Sequence, residues 1–146
     1  MFARVGDLTA LLGRNAIGVV FLAHGLQKWD KGIDATAAMM SGTGIPFPQA
    51  AAVFTIAVEV LGSIAFIVGL ALPLVGVGYA VVGLGAVLAV HLDAGLTGQN
   101  GYELVLVLAM AGLALGFNGG AFALDRVLFR GKRAAAKDTA KETQPV

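Results

Sequence analysis

Arg14, His24, Lys28, Glu59, His91 and Glu103 are the residues of this 146-residue chain whose chemistry is at odds with their surroundings. Each lies within or at the end of a long apolar run, where an ionisable side chain must face a partner rather than hydrocarbon. His24 and Lys28 are i, i+4 neighbours on one helix face. His91, with Asp93 beside it, closes a third run, and Glu103 opens a fourth at about the same depth. Two imidazoles and a carboxylate from three helices can bind a metal ion (His24, His91, Glu103), carry protons, or hydrogen-bond the carbonyls of a quinone. Haem ligation by the two histidines is a further option, with no attachment motif to support it. The plain alternative is that these groups satisfy one another and the backbone at helix ends.

Arg14 and Glu59 pose a separate question, because both fall deeper within their runs. At 1.5 Å per residue, Arg14 lies roughly 9 Å into the first helix and Glu59 about 16 Å from the end of the second. An arginine side chain can span that difference, so the sequence predicts an Arg14–Glu59 pair near mid-membrane. Such a pair can pin helix register, or it can serve an ion or proton pathway or hold a ligand's polar head. An unpaired charge there is costly, so losing one partner should hurt more than losing both.

These residues need elements to carry them. Hydrophobic residues make up 58% of the chain, charged ones only 13%, and the mean hydropathy is +0.84. A chain so composed cannot cover itself with polar surface, so lipid is its expected solvent. Four runs, approximately 8–28, 48–70, 74–92 and 102–124, have about the 20 residues needed to cross a bilayer. Irregular backbone cannot face lipid, and the runs do not alternate as barrel strands would. The expected fold is therefore an all-α, four-span antiparallel bundle over residues 1–130. The N-terminus lacks a small-x-small cleavage site and reads as an uncleaved first span.

Within the first connection, 29–47, Asp34 is a plausible N-cap for a short interfacial helix through Met40, broken by Gly42, Gly44, Pro46 and Pro48. Leu70–Pro73 makes a tight hairpin, and DAGLTGQNG (93–101) a glycine-rich turn. Residues 131–146 read as a disordered basic tail. Arg4, Arg126, Arg130, Lys132, Arg133, Lys137 and Lys141 lie on one side, against Lys28 and Lys31 on the other. That bias predicts cytoplasmic termini. Asp125 and Arg126 read as an interfacial anchor, and Trp29 and Tyr102 as belt residues opposite.

Small residues indicate the packing faces. Gly76, Ala80, Gly83 and Val87 recur at helical spacing on the third helix, and Gly62, Phe66 and Gly69 on the second. Arg14, Gly18, Phe21, His24, Gly25 and Lys28 share one face of the first helix. Ala52, Thr55, Glu59, Gly62, Ser63 and Phe66 share one face of the second. These faces should turn inward.

RNAIGVVFLAHGLQK in the first helix, GIPFP, VEVLG around Glu59, His91, NGYE (100–103) and LDRVL (124–128) together resemble the DoxX family of small membrane proteins. The resemblance covers nearly the whole chain apart from the tail. It implies a four-helix bundle in the bacterial plasma membrane. It also implies a role as a subunit of a redox complex, quinone-linked and concerned with sulfur compounds or oxidative stress. Arg14, His24, Glu59, His91 and Glu103 correspond to the family's recurrent polar residues. The chain has no cysteine, so any thiol chemistry must belong to a partner or substrate, and any oxidoreductase activity is expected to need one. The partners expected are the bilayer and a soluble or membrane redox protein; a homo-oligomer stays open, and nucleic acid is not among them. Two other functions compete. One is a structural or assembly subunit whose polar residues only pin helices. The other is an oligomeric transporter of a small solute, for which no inverted repeat speaks.

Overall fold

The computed structural model describes residues 2–126 and 128, and every described element is helical. Helix α1 (Phe2–Lys31) leads into a short α2 (Ile33–Gly42). Then come α3 (Pro48–Val68) and α4 (Leu72–Ala94), each continuous but locally rewound, and finally α5 (Glu103–Phe117). The tail expected at 131–146, with Arg130, Lys132, Arg133, Lys137 and Lys141, lies outside the described residues.

Among the described residues, three helices are long and apolar enough to cross a membrane: Arg4–Lys31 within α1, α3 and α4. Their outward faces keep large apolar side chains, with Leu61 67%, Leu74 75% and Leu88 66% exposed. A chain folded in water would bury such residues or lose solubility, so the outer surface is built for lipid.

The expected fourth run, 102–124, is cut short. Helix α5 has 15 residues, about 22 Å at 1.5 Å per residue, and the chain leaves it at Asn118–Gly119–Gly120, with Gly120 at φ 76°. Asp34 is also not the cap of α2. That helix starts at Ile33 without a side-chain cap, and the Asp34 carboxylate instead accepts a hydrogen bond from Gln49 Nε2 at 2.9 Å.

Helix ends follow local chemistry. At the end of α2, Gly44 adopts φ 76°, its N–H donates to Ser41 O, and Ile45 N–H donates back to Met40 O at 3.1 Å. Gly69 ends α3 in the same way, with Leu70 N–H donating to Ala65 O at 2.8 Å. Both are Schellman terminations, in which a left-handed glycine satisfies the last carbonyls. Ile45 then packs beside Ala37, Met40 and Ala52, which fastens α2 to the start of α3.

The spanning helices form a ring in which α1 touches α3 and α5, and α4 touches α3 and α5. Helices α1 and α4 are thus diagonal. Glycines allow the close approaches that lipid-embedded helices need. A Cβ on Gly76 would stand 3.0 Å from Gly116 Cα, and one on Gly83 would stand 2.5 Å from Ala109 Cβ. The α4 stripe of Gly76, Ala80, Gly83 and Val87 is buried as its spacing predicts. In the middle of the ring, Ile17, Phe21, Phe66, Leu72, Val75, Tyr79 and Ala123 make the core.

Candidate functional site

The inward faces read from the sequence are largely those that turn inward. Arg14, Gly18, Phe21 and Gly25 of α1 are buried, as are Ala52, Thr55, Glu59, Ser63 and Phe66 of α3. Yet the predicted Arg14–Glu59 pair does not form. Lys28 Nζ donates to Glu59 Oε2 at 2.6 Å, the one salt bridge among the described residues. Arg14 instead donates through Nη1 to Gly119 O at 2.8 Å and through Nη2 to Phe122 O at 3.3 Å.

Register explains the exchange of partners. Gly25 is the close-approach point between α1 and α3, since a Cβ there would lie 2.7 Å from Glu59 Cβ and 2.8 Å from its carbonyl carbon. Gly18 meets Ile67 lower down. Arg14 is eleven residues below Gly25, about 16 Å along the axis, which leaves it level with the Gly69–Ala71 turn. Lys28 is less than one turn above Gly25, within reach of the carboxylate.

Around Glu59 the α-helix of α3 widens into a π-turn over Val58–Gly62. Such turns carry one residue more than the regular repeat and are frequent at functional sites. A second one, Val87–His91, closes most of α4 and contains His91. Glu59 is only 4% exposed. The Lys28 side chain, 22% exposed, is its route outward, into a cleft of about 380 Å³ between the last turns of α1 and the first two turns of α2. His24, Gln27, Lys28 and Lys31 line one wall, and Ala35, Thr36 and Met39 the other. Thr36 Oγ1 donates to Gly32 O at 3.0 Å, which closes the corner between the two helices. The cleft thus offers several N–H donors, among them Lys28 with Glu59 paired behind it, and no carboxylate lines it.

A model of the DoxX family matches residues 9–92, more than half of the chain. The chain belongs to the DoxX family. This DoxX protein is also 34% identical over 128 residues to a Bacillus subtilis (strain 168) protein named "Putative oxidoreductase CatD", covering 87% of this chain and 92% of the relative. No solved structure gave a significant match.

The other predicted residues of this DoxX protein are dispersed. His24 is exposed in the cleft. His91 lies on α4, diagonal to α1, and its Nδ1 sits 2.9 Å from Asn100 O. A carbonyl only accepts, so that nitrogen carries the proton. Glu103 is exposed at the start of α5, where its backbone N–H donates to Leu96 O at 3.0 Å. The metal option for His24, His91 and Glu103 finds no grouping to support it: among the described residues, no three of His, Cys, Asp or Glu are placed together to hold an ion. Equal depth on different helices did not bring them together.

Asp125 proves to be more than an interfacial anchor. Its carboxylate accepts from Ala71 N at 2.9 Å and from Leu72 N at 2.9 Å, capping α4 from a distant part of the chain. Asp7 Oδ1 likewise accepts from Ala121 N at 2.7 Å. Tyr79 was also missed. Its ring stacks on Phe21 at 3.8 Å and meets Phe66 edge-on at 5.0 Å, and its hydroxyl donates to Ser63 Oγ at 2.8 Å. It falls between Gly76 and Gly83 at helical spacing, so the glycine stripe could have exposed it.

Proposed function

We propose that this DoxX protein is a four-span subunit of a quinone-linked redox complex in the bacterial plasma membrane, with both termini cytoplasmic and the α2 cleft on the outer side. The observation that carries this is the buried Lys28–Glu59 pair opening onto a donor-lined cleft. The relative's name adds the oxidoreductase theme. Support for a fourth crossing comes from the chain after α5. Irregular backbone is tolerated at membrane depth only where protein satisfies it, and Arg14 and Asp7 supply partners to Gly119, Phe122 and Ala121.

The residues present fit a quinone head. A volume of about 380 Å³ falls within the range of small-molecule pockets. His24, Gln27 and Lys28 can donate to its carbonyl oxygens, while Glu59 holds Lys28 in position and exchanges protons with it. When bound, a quinone supplies an acceptor for two electrons and two protons. The electrons come from a redox partner protein, because this chain has no thiol to supply them.

The test is a titration of the purified protein in lipid nanodiscs with a short-chain quinone. Lys28→Met should weaken binding by roughly tenfold, the loss of one charge-assisted hydrogen bond. Binding that is absent in the parent protein, or unchanged in Lys28→Met and His24→Phe alike, would remove the proposal. A second reading, an assembly subunit, is favoured by the Arg14 contacts, which serve only the fold. It requires a stoichiometric partner that loses stability when this chain is deleted.

A further inference from the structure

We propose that the Lys28–Glu59 pair exchanges protons with one side of the membrane only, the side on which α2 lies. The inference rests on the proposed role of that pair and adds a direction to it. Glu59 meets solvent through Lys28 and the cleft, where His24 and Lys31 are the other titratable groups. Two other routes, between α1 and α3 and down the bundle axis, are closed among the described residues.

Between α1 and α3 the backbones approach too closely at Gly25 for a water to pass, with no room even for a methyl group. Below Glu59, the next polar groups toward the far end are the Ser63 and Tyr79 hydroxyls. Both are fully buried, and the Tyr79 proton is committed to Ser63 Oγ at 2.8 Å. Beneath them the path ends. Phe21 stacks flat on Tyr79 within 5° of parallel, Phe66 seals the third edge, and Ile17, Leu72 and Val75 fill the level below. Apolar space of this kind stays dry, because a water needs polar partners. The next polar group, Arg14, is about 16 Å from the level of Glu59 along α1; each of its Nη atoms donates to a backbone carbonyl, and its Nε is buried with no partner among the described residues. Tyr79 is therefore a positioning residue. It closes the bundle beneath the pair and makes proton access to it sided.

The thiol-free sequence makes this directly measurable. Single cysteines at the exposed positions Gln27 and Asn118 mark the two sides, and Lys28→Cys and Ser63→Cys report access to the pair and to the seal. In right-side-out and inverted vesicles, a membrane-impermeant thiol reagent should label Lys28→Cys only in the orientation that labels Gln27→Cys. Ser63→Cys should stay unlabelled in both. As a second measurement, proteoliposomes under a pH gradient should hold it with the parent protein and lose it several-fold faster with the double variant Phe66→Ala, Tyr79→Ala. Labelling of Lys28→Cys or Ser63→Cys from the Asn118 side would overturn the inference, as would rapid proton leakage through the parent protein. The labelling does not require quinone to bind, so failure of the quinone titration and failure of sidedness are separate results.

Discussion

The two buried charged sites of this bundle use their charge differently. At one end, Arg14 is 1% exposed and hydrogen-bonds two backbone carbonyls from the irregular stretch after α5. At the other, Glu59 is as deeply placed, but its partner Lys28 opens onto a cleft. Arg14 completes the backbone bonding of the segment that closes the ring, whereas the Lys28–Glu59 pair faces a place where something else can sit. Burial alone therefore does not mark a site; what matters is whether the partner of the buried charge retains access to a ligand or to water.

Several changes can break or sharpen that contrast. The largest loss is expected from Gly25→Leu, because the clash is with Glu59 backbone as well as its side chain and neither can yield. It should cost about 4 kcal/mol or more and abolish a monodisperse fold in detergent. Gly6→Leu, at a position with nothing within 4 Å, is its control. Arg14→Met leaves two carbonyls unpaired and should cost about 2–5 kcal/mol in thermal unfolding. The double variant Lys28→Met, Glu59→Gln removes both partners and should cost markedly less than Arg14→Met while losing quinone affinity. Equal stability losses at the two ends would erase the distinction. Asp125→Ala removes the cap of α4 and should cost about 1 kcal/mol, without changing ligand affinity. Smallest of all, His24→Gln should alter stability by less than about 0.5 kcal/mol, since the residue is exposed, and should lower quinone affinity only a few-fold.

The sequence made the faces legible but not the pairing between them. Apolar length and small-residue spacing depend on local pattern alone, and so the buried sides of α1, α3 and α4 could be read directly. Which charges meet depends on register, and register here is fixed by Gly25 against Glu59, a contact between residues 34 positions apart. Counting depth from assumed helix ends put Arg14 within a side chain's reach of Glu59, when it is level with the Gly69–Ala71 turn. His24, His91 and Glu103 lie apart for a related reason. Similar depth says nothing about which helices are adjacent, and α1 and α4 are diagonal in the ring. The π-turns left no trace in the hydrophobic pattern, since one extra residue in a uniformly apolar run shifts no visible stripe.

Helix α5 spans about 22 Å, against roughly 30 Å of hydrocarbon in a typical bilayer. The helical part of that flank is thus shorter than the hydrocarbon it would face. Unless the stretch bonded by Arg14 and Asp7 makes up the difference, the membrane there must pinch inward, while the flank formed by α1, whose 30 residues run about 45 Å, meets it at full thickness. The protein is then asymmetric toward its lipids as well as its ligands. Pinching costs a fraction of a kcal/mol per Å, and neighbours presenting an equally short edge relieve it. A short edge of this kind is where bilayer elasticity favours association of helices. Self-association measured by energy transfer should weaken as shorter-chain lipids replace longer ones.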